Sequence, residues 1–138
     1  MRLSVSRLAV LVLAATALPA LAQAAPYAKG HCQMTVPDGW VASKTRIAST
    51  DKSRWASVME APTTAQAVQL ETSMGAKTVS ETGAAVLMTQ TASFGGKTNR
   101  MYHAVTKSTP ACLADVTFPD GVDDGAARQI ALSVKAVR

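Results

Sequence analysis

The chain contains two cysteines, Cys32 and Cys112, and the way they pair constrains the fold more than any other feature. In an oxidising compartment an even number of cysteines is normally joined in bridges. A bridge between these two would close a loop over most of the domain and would tie its first strand to a late one. Since no Cys-x-x-Cys spacing indicates a reactive or metal-binding thiol pair, the sequence predicts a structural Cys32–Cys112 disulfide.

The compartment follows from residues 1–24, which have the three parts of a secretory signal peptide. Arg2 and Arg7 give the positive start, and positions 8–18 form an uncharged apolar run. That run is shorter than the roughly 20 residues that a helix needs to span a bilayer. The small residues at positions 22 and 24 predict Sec-type cleavage after Ala24, with cleavage after Ala22 as the alternative. The sequence therefore predicts a periplasmic or secreted protein.

Removal of the signal peptide would change the length and the net charge of the chain. The mature chain would have 114 of the 138 residues, and its net charge would fall from +5 to +3 because Arg2 and Arg7 leave. This length suits one domain with one core. We expect a short leader over 25–31 and a single α+β domain over 32–138, with no transmembrane segment. Export, the modest charge and the few aromatic residues argue against nucleic-acid binding.

Alternation of apolar and polar residues predicts strands that are separated by turns. Pro-Asp-Gly occurs at 37–39 and again at 119–121, where proline and glycine favour a β-turn. Residues 94–97, Phe-Gly-Gly-Lys, are typical of a hairpin tip. The predicted strands are 32–36, 40–42, 54–61, 78–80, 84–93, 98–107 and 111–118.

Two segments have helical periodicity. Thr63 as the N-cap and Gln66 three residues later predict the start of the first helix. Its expected apolar stripe consists of Ala67, Val68, Leu70 and Met74, with Gln66, Gln69 and Glu71 facing outward. The second helix is expected to begin near Asp123 or Asp124 and to run to the end of the chain. Its expected stripe is Ala127, Ile130, Val134 and Val137, with Lys135 and Arg138 at the negative end of the helix dipole.

The order of these elements predicts an α+β fold, in which an antiparallel sheet has helices packed on it. Residues 34–40, Met-Thr-Val-Pro-Asp-Gly-Trp, and the closing helical segment 126–134 resemble the PsbP-like family, including DcrB-type exported bacterial proteins. That resemblance implies an α/β/α sandwich and a non-enzymatic accessory, binding or chaperone-like role. It transfers no catalytic residue to this chain, and the two cysteines are not part of it.

A basic surface is the strongest candidate for binding. Four cations fall within the short segment 44–54, and two tryptophans flank them. Such a patch favours an acidic protein partner or another anionic component of the cell envelope. Its residues are Lys44, Arg46, Lys52, Arg54, Trp40 and Trp55.

A metal site is the alternative interpretation. His103 and Met101 lie on one strand face, and with His31 and Met34 they offer the soft ligands that copper accepts. A zinc site would instead combine the two histidines with Cys32 and Cys112, without the paired spacing usual for zinc.

No motif indicates an enzyme. Ser57, Ser73, Ser80 and Ser93 lack the Gly-x-Ser-x-Gly context of a hydrolase, and Glu60, Glu71 and Glu81 are explained as surface residues. The sequence therefore predicts a small exported binding or accessory protein that acts by surface recognition, without a cofactor. The alternatives are a periplasmic copper-handling protein and an inhibitor or immunity protein against an envelope-directed toxin.

Overall fold

The computed structural model describes residues 26–122 and 125–137. The predicted signal peptide, the predicted helix start at Asp123 or Asp124, and Arg138 lie outside these residues. Within them the chain forms ten strands and two helices. The strands are β1 (Pro26–Lys29), β2 (Cys32–Thr35), β3 (Val41–Ala42), β4 (Ile47–Ala48), β5 (Trp55–Ala61), β6 (Lys77–Glu81), β7 (Ala85–Phe94), β8 (Lys97–Thr106), β9 (Ala111–Pro119) and β10 (Lys135–Ala136), and the helices are α1 (Thr64–Ser73) and α2 (Gly125–Leu132).

The strands form two sheets whose neighbouring strands are antiparallel. The larger sheet has seven strands in the order β3-β4-β5-β9-β8-β7-β6, and the smaller has three in the order β1-β2-β10. A two-residue turn joins β7 to β8, and both of its glycines, Gly95 and Gly96, have positive φ angles. Glycine adopts that backbone region without steric cost, which confirms the predicted hairpin tip. The structure thus confirms an α+β protein built mainly from antiparallel sheet.

Alternation along β9 separates two groups of core residues, because successive side chains of a strand point to opposite faces. Ala114, Val116 and Phe118 belong to the larger apolar cluster, which also contains Met34 of β2 and Ala131 of α2. The residues between them on β9 point to the other face. There, a smaller cluster contains Ala67, Val105, Ala111 and Leu113.

The predicted disulfide is confirmed. Cys32 of β2 and Cys112 of β9 are bonded, with their Cα atoms 5.5 Å apart. Both residues are fully buried in the larger apolar cluster. The bond therefore joins the three-stranded sheet to the seven-stranded one.

The first helix begins where the sequence predicts it but buries a different side. Thr63 is the N-cap, and its hydroxyl accepts a hydrogen bond from the Gln66 N–H at 3.1 Å. The predicted apolar stripe is wrong in part, since Leu70 is 52% and Met74 is 53% exposed. Glu71, which was expected to face outward, is only 2% exposed. The physical reason is that the Glu71 carboxylate contacts His103 on β8, so an ionisable partner determines which side of α1 is buried.

The second helix is shorter than predicted, because it ends at Leu132 instead of continuing to Val137. Just beyond it, the Ser133 hydroxyl donates to the Ile130 carbonyl at 2.6 Å and accepts from the Thr35 N–H of β2 at 3.0 Å. The chain then leaves the helical path, and Lys135–Ala136 pairs with β2 as strand β10. The predicted dipole interaction of Lys135 with the helix end is therefore wrong.

The segment expected to be a leader is part of the smaller sheet. Pro26–Lys29 pairs with β2 through a two-residue turn whose first residue, Gly30, has a φ angle of 57°. A side chain at Gly30 would collide with the Glu60 carboxylate, which also accepts a hydrogen bond from the His31 N–H at 2.5 Å. The short strand β4 was also missed, because two residues are too few for alternation to be recognised.

Candidate functional site

The structure does not bring the six residues of the predicted basic surface into one pocket. Trp40 and Arg54 line a pocket of about 370 Å³ together with Phe118 and Ile130. Arg46 and Lys52 line a second pocket, of about 310 Å³. The remaining two residues are Lys44, which is exposed and whose carbonyl accepts a hydrogen bond from the Lys29 ammonium, and Trp55, which lines a third pocket.

Of these three pockets, the third, which we call the cationic groove, most resembles a binding surface. It has a volume of about 330 Å³, and its lining includes Lys52, Trp55, Phe94 and Lys97. The Arg46 guanidinium lies over the Trp55 ring, 5.3 Å from the ring centroid. Phe94 is 51% exposed although it is a large apolar side chain. The groove therefore presents two aromatic rings and two lysines, and Arg46 of the second pocket adds a third cation against the Trp55 ring.

Phe94 and Lys97 line the groove but were not among the predicted binding residues, because their segment was recognised only as a turn. They are paired across the β7–β8 turn, which places both side chains at the tip of the longest hairpin among the described residues. An exposed aromatic residue at a glycine turn was the available signal. Nothing in the local sequence indicates that this tip lies beside Lys52 and Trp55, which come much earlier in the chain.

A network around Asp51 holds the loop that carries Lys52. The Asp51 carboxylate accepts hydrogen bonds from the Ser49 hydroxyl at 2.7 Å, the Ser53 hydroxyl at 2.8 Å and the Ser53 N–H at 3.0 Å. Lys52 has a φ angle of 60°, which is uncommon for a residue other than glycine. These hydrogen bonds, of which the one from Ser49 has the largest effect, lower the pKa of Asp51 to about 2.

We therefore expect Asp51 to stay ionised when the pH falls from 7 to 4. Because its pKa is lowered in the folded chain, its contribution to stability is present above the ordinary aspartate pKa of about 4 and is lost as the pH falls through about 2. An NMR titration of the side-chain carboxyl carbon measures this midpoint. Ser49→Ala should raise the midpoint more than Ser53→Ala does, and a wild-type midpoint near 4 would contradict the network.

A second site lies in the interior, where α1 crosses β8 and β9. His103 of β8 and Asp115 of β9 are direct cross-strand partners. The Nδ1 atom of His103 is 2.5 Å from Asp115 Oδ1 and 3.2 Å from Glu71 Oε2 of α1. Glu71 and His103 are almost fully buried, whereas the Asp115 side chain is 26% exposed. We call these three residues the buried triad.

Contacts at both ends of α1 position Glu71 over the sheet. Near the start of the helix, the Thr64 hydroxyl donates to the Thr106 carbonyl of β8 at 2.8 Å. Beyond its end, the Met74 carbonyl accepts from the Gln90 side-chain amide of β7 at 2.8 Å. The helix is therefore held on two neighbouring strands, and its middle lies against His103.

Burial and the neighbouring Asp115 raise the pKa of Glu71, while the imidazole of His103 acts in the opposite direction. Burial has the largest effect, because a charged carboxylate loses its hydration in the interior. The triad thus places two carboxylates against one imidazole nitrogen. No sequence pattern indicated it, since the three residues are on different elements and have no motif spacing.

The residues predicted to bind copper are not brought together. His103 and Met101 lie on the same face of β8, as expected, but Met34 is buried in the larger apolar cluster with Cys32 on the opposite face of the seven-stranded sheet. His31 is exposed in the β1–β2 turn. The zinc alternative fails because both of its cysteines are consumed by the disulfide, and a cysteine binds zinc only as a free thiolate.

The fold and these two sites define an α+β protein with a disulfide, a cationic surface groove and a buried ionisable cluster. Comparison of the sequence with protein-family models and with curated proteins gives no match. Among solved structures, a crystal structure at 1.50 Å resolution from Bacteroides thetaiotaomicron is similar, with a TM-score of 0.58 and 13% identity. The match covers 84% of this chain and 49% of that one, so the chain spans about half the length of that protein. At this identity the likeness concerns the fold alone.

No helix within residues 26–122 and 125–137 has the length and hydrophobicity that crossing a membrane requires.

Proposed function

We propose that this chain is an exported, periplasmic binding or accessory protein, without enzymatic activity, that recognises an acidic segment of a protein in the cell envelope. The observation that carries this proposal is the cationic groove. Trp55 and Phe94 offer apolar ring surface there, and Arg46, Lys52 and Lys97 provide positive charge around it. Aromatic residues and arginine are the side chains most often responsible for binding energy at protein interfaces.

The charge balance of the groove favours an anionic occupant. Asp51 is the acidic residue next to Lys52 in the chain, and its carboxylate already accepts three hydrogen bonds from Ser49 and Ser53. Asp51 remains ionised and offsets one positive charge, so Arg46, Lys52 and Lys97 leave the region with a positive balance that favours an anionic partner. A concave pocket of about 330 Å³ accommodates an acidic segment with an apolar side chain better than it does the flat surface of a membrane.

The proposal of export rests on the signal pattern of residues 1–24, and the disulfide supports it. Disulfides persist in oxidising compartments and are rare in reducing ones. The two lines of support are independent, since one depends on the start of the sequence and the other on a pair of residues within the fold.

For the fold, we infer the α/β/α sandwich that the PsbP-like resemblance implies. Ala67 of α1 shares a cluster with Leu113, whereas Ala131 of α2 shares the other cluster with Ala114. Leu113 and Ala114 are neighbours on β9 and point to opposite faces, so this clustering supports a helix on each face of the larger sheet. An inhibitor of an envelope-directed toxin would belong to the same binding class.

Charge reversal in the groove tests the proposed function. The groove variant combines Arg46→Glu, Lys52→Glu and Lys97→Glu, and a photocrosslinking amino acid replaces Phe94 to report contact in living cells. We expect the yield of the crosslinked envelope protein to fall at least tenfold, because the acidic partner would meet like charge. Binding of the purified partner should also weaken with added salt.

The matched control carries Lys77→Glu, Arg128→Glu and Lys135→Glu, which change the net charge equally at exposed positions outside the groove. It should retain the crosslink. Equal yields in the two variants would contradict the groove as the binding surface. Crosslinks of the wild-type groove to lipid alone, with no protein captured, would contradict an acidic protein as its occupant.

A further inference from the structure

We propose that the buried triad, Glu71, His103 and Asp115, binds a divalent transition-metal ion, and that Zn²⁺ is the ion its ligands fit. The nearest potential ligand atoms of the three residues all lie within 4.8 Å of one another. The site is separate from the cationic groove, with which it shares no residue. It also differs from the copper set expected from the sequence, of which it keeps only His103.

The orientation of the imidazole follows from a chain of hydrogen bonds. The Gln90 amide nitrogen donates to the Met74 carbonyl at 2.8 Å, which leaves the amide oxygen facing His103 Nε2 at 3.0 Å. An amide oxygen only accepts, so Nε2 carries the hydrogen. In the neutral imidazole, Nδ1 therefore has a free lone pair, and this lone pair points towards the carboxylates of Glu71 and Asp115.

A lone pair and two carboxylates that face one another are stabilised by a proton or a metal ion between them. A proton is one solution: it lies either on Nδ1, directed at Asp115 Oδ1 only 2.5 Å away, or on Glu71, where burial favours the neutral acid. With the proton on Nδ1, Glu71 Oε2 is buried without a hydrogen bond of its own and keeps only the 3.2 Å ion pair with the same nitrogen. Burying an unsatisfied polar atom is costly, and the cost is larger for an ionised one. A metal ion satisfies all three ligand atoms at once.

The ligand types select the ion. One imidazole nitrogen and two carboxylate oxygens suit Zn²⁺, which takes three protein ligands and a water in open sites. Cu⁺ prefers thiolate and thioether ligands, while Ca²⁺ needs six to eight oxygens. The contact of His103 with Gln90 also matches the pattern of metal-binding histidines, which donate their second N–H to a carbonyl or carboxylate and are oriented by it.

The distances require only a small adjustment. Tetrahedral ligands about 2.0 Å from Zn²⁺ are about 3.3 Å apart. Glu71 Oε2 already lies 3.2 Å from His103 Nδ1, whereas Asp115 Oδ1, at 2.5 Å from the same nitrogen, has to move outward. Its side chain is 26% exposed, which gives it room to move and gives the ion and its water a path from solvent.

Metal titration of the purified, disulfide-bonded chain tests the site. After dialysis against EDTA, we expect isothermal titration calorimetry to give one Zn²⁺ per chain and the melting temperature to rise with Zn²⁺. Co²⁺, used as a spectroscopic probe, should give the visible absorption of a low-coordinate site. Absence of stoichiometric uptake would overturn the proposal and would mean that a proton is the cation of the triad.

Variants locate the ion. Glu71→Gln keeps the size of the buried side chain but removes its charge, and we expect at least a tenfold loss of Zn²⁺ affinity. Gln90→Ala should weaken binding by 10- to 100-fold, because it removes the group that orients His103. The control is Glu81→Gln, an exposed glutamate that pairs with Lys107 and should bind Zn²⁺ like the wild type.

Zn²⁺ affinity that is equal in Glu71→Gln, Gln90→Ala and the wild type would place the ion elsewhere and overturn the proposal. Circular dichroism in EDTA checks that each variant is folded. If Glu71→Gln does not fold, Asp115→Asn replaces it, since Asp115 is partly exposed and its amide is tolerated at the surface. Crosslinking through the cationic groove should be unchanged in all of these variants.

Discussion

Replacing both cysteines with alanine is expected to lower the free energy of unfolding by about 4 kcal/mol. The bond closes a loop with a sequence separation of 80 residues, for which the chain-entropy model gives about 4.5 kcal/mol, and removal of native disulfides typically costs about 2–5 kcal/mol. Domains of this size are stable by only about 5–15 kcal/mol. Urea unfolding of the Cys32→Ala, Cys112→Ala chain measures the loss.

Loop closure is one reason for the expected loss of stability, and a second is that the disulfide joins the two sheets. β2 carries Cys32 and β9 carries Cys112, and alanine at either position leaves space in the larger apolar cluster. The wild-type chain unfolded under reducing conditions is the control and should lose a similar amount. A loss below about 1 kcal/mol would contradict a structural role for the bond.

Removing the imidazole of the buried triad is expected to have the second-largest effect. His103→Ala should lower the free energy of unfolding by about 3 kcal/mol in the presence of EDTA, because it leaves a cavity and two carboxylates without a cation. The loss of the imidazole destabilises the Glu71 carboxylate more than that of Asp115, since the Glu71 side chain is almost fully buried. Urea unfolding at neutral pH measures the change.

A double-mutant cycle separates the charge effect from the cavity. In the Glu71→Gln background, His103→Ala still leaves the cavity, but the neutral amide neither repels Asp115 nor needs a cation. In that background we expect His103→Ala to lower the free energy of unfolding by at least about 1 kcal/mol less than it does in the wild type. Additive losses would show that Glu71 and His103 are not energetically coupled.

Glu71 also explains why the sequence predicted the wrong face of α1. Leu70 and Met74 are more hydrophobic and would bury their side chains on a helix considered alone. The structure instead buries Ala67 and Glu71, one turn apart, because α1 is attached to β7 and β8 through Met74 and Thr64. A buried carboxylate is stable only with a partner, and that partner lies on β8, far along the sequence from α1.

The residues of the cationic groove, like the buried face of α1, were predicted only in part from the sequence. Lys52 and Trp55 were expected to contribute to binding, and they line the groove. Their neighbours in space, Phe94 and Lys97, come from the tip of a distant hairpin, while Arg54 lines a different pocket. Proximity along the chain therefore predicted only part of this surface.

The sequence by itself determined what depends on neighbouring residues and on cysteine chemistry. Alternation located the long strands β5, β7, β8 and β9, a threonine N-cap located the start of α1, and two cysteines predicted the bond that the structure contains. The tertiary structure alone decided the pairing of β10 with β2, the burial of Glu71 against His103 and Asp115, and the composition of the groove. Periodicity and capping are local interactions that can be recognised in a short window, whereas these contacts join residues that only the folded chain brings together.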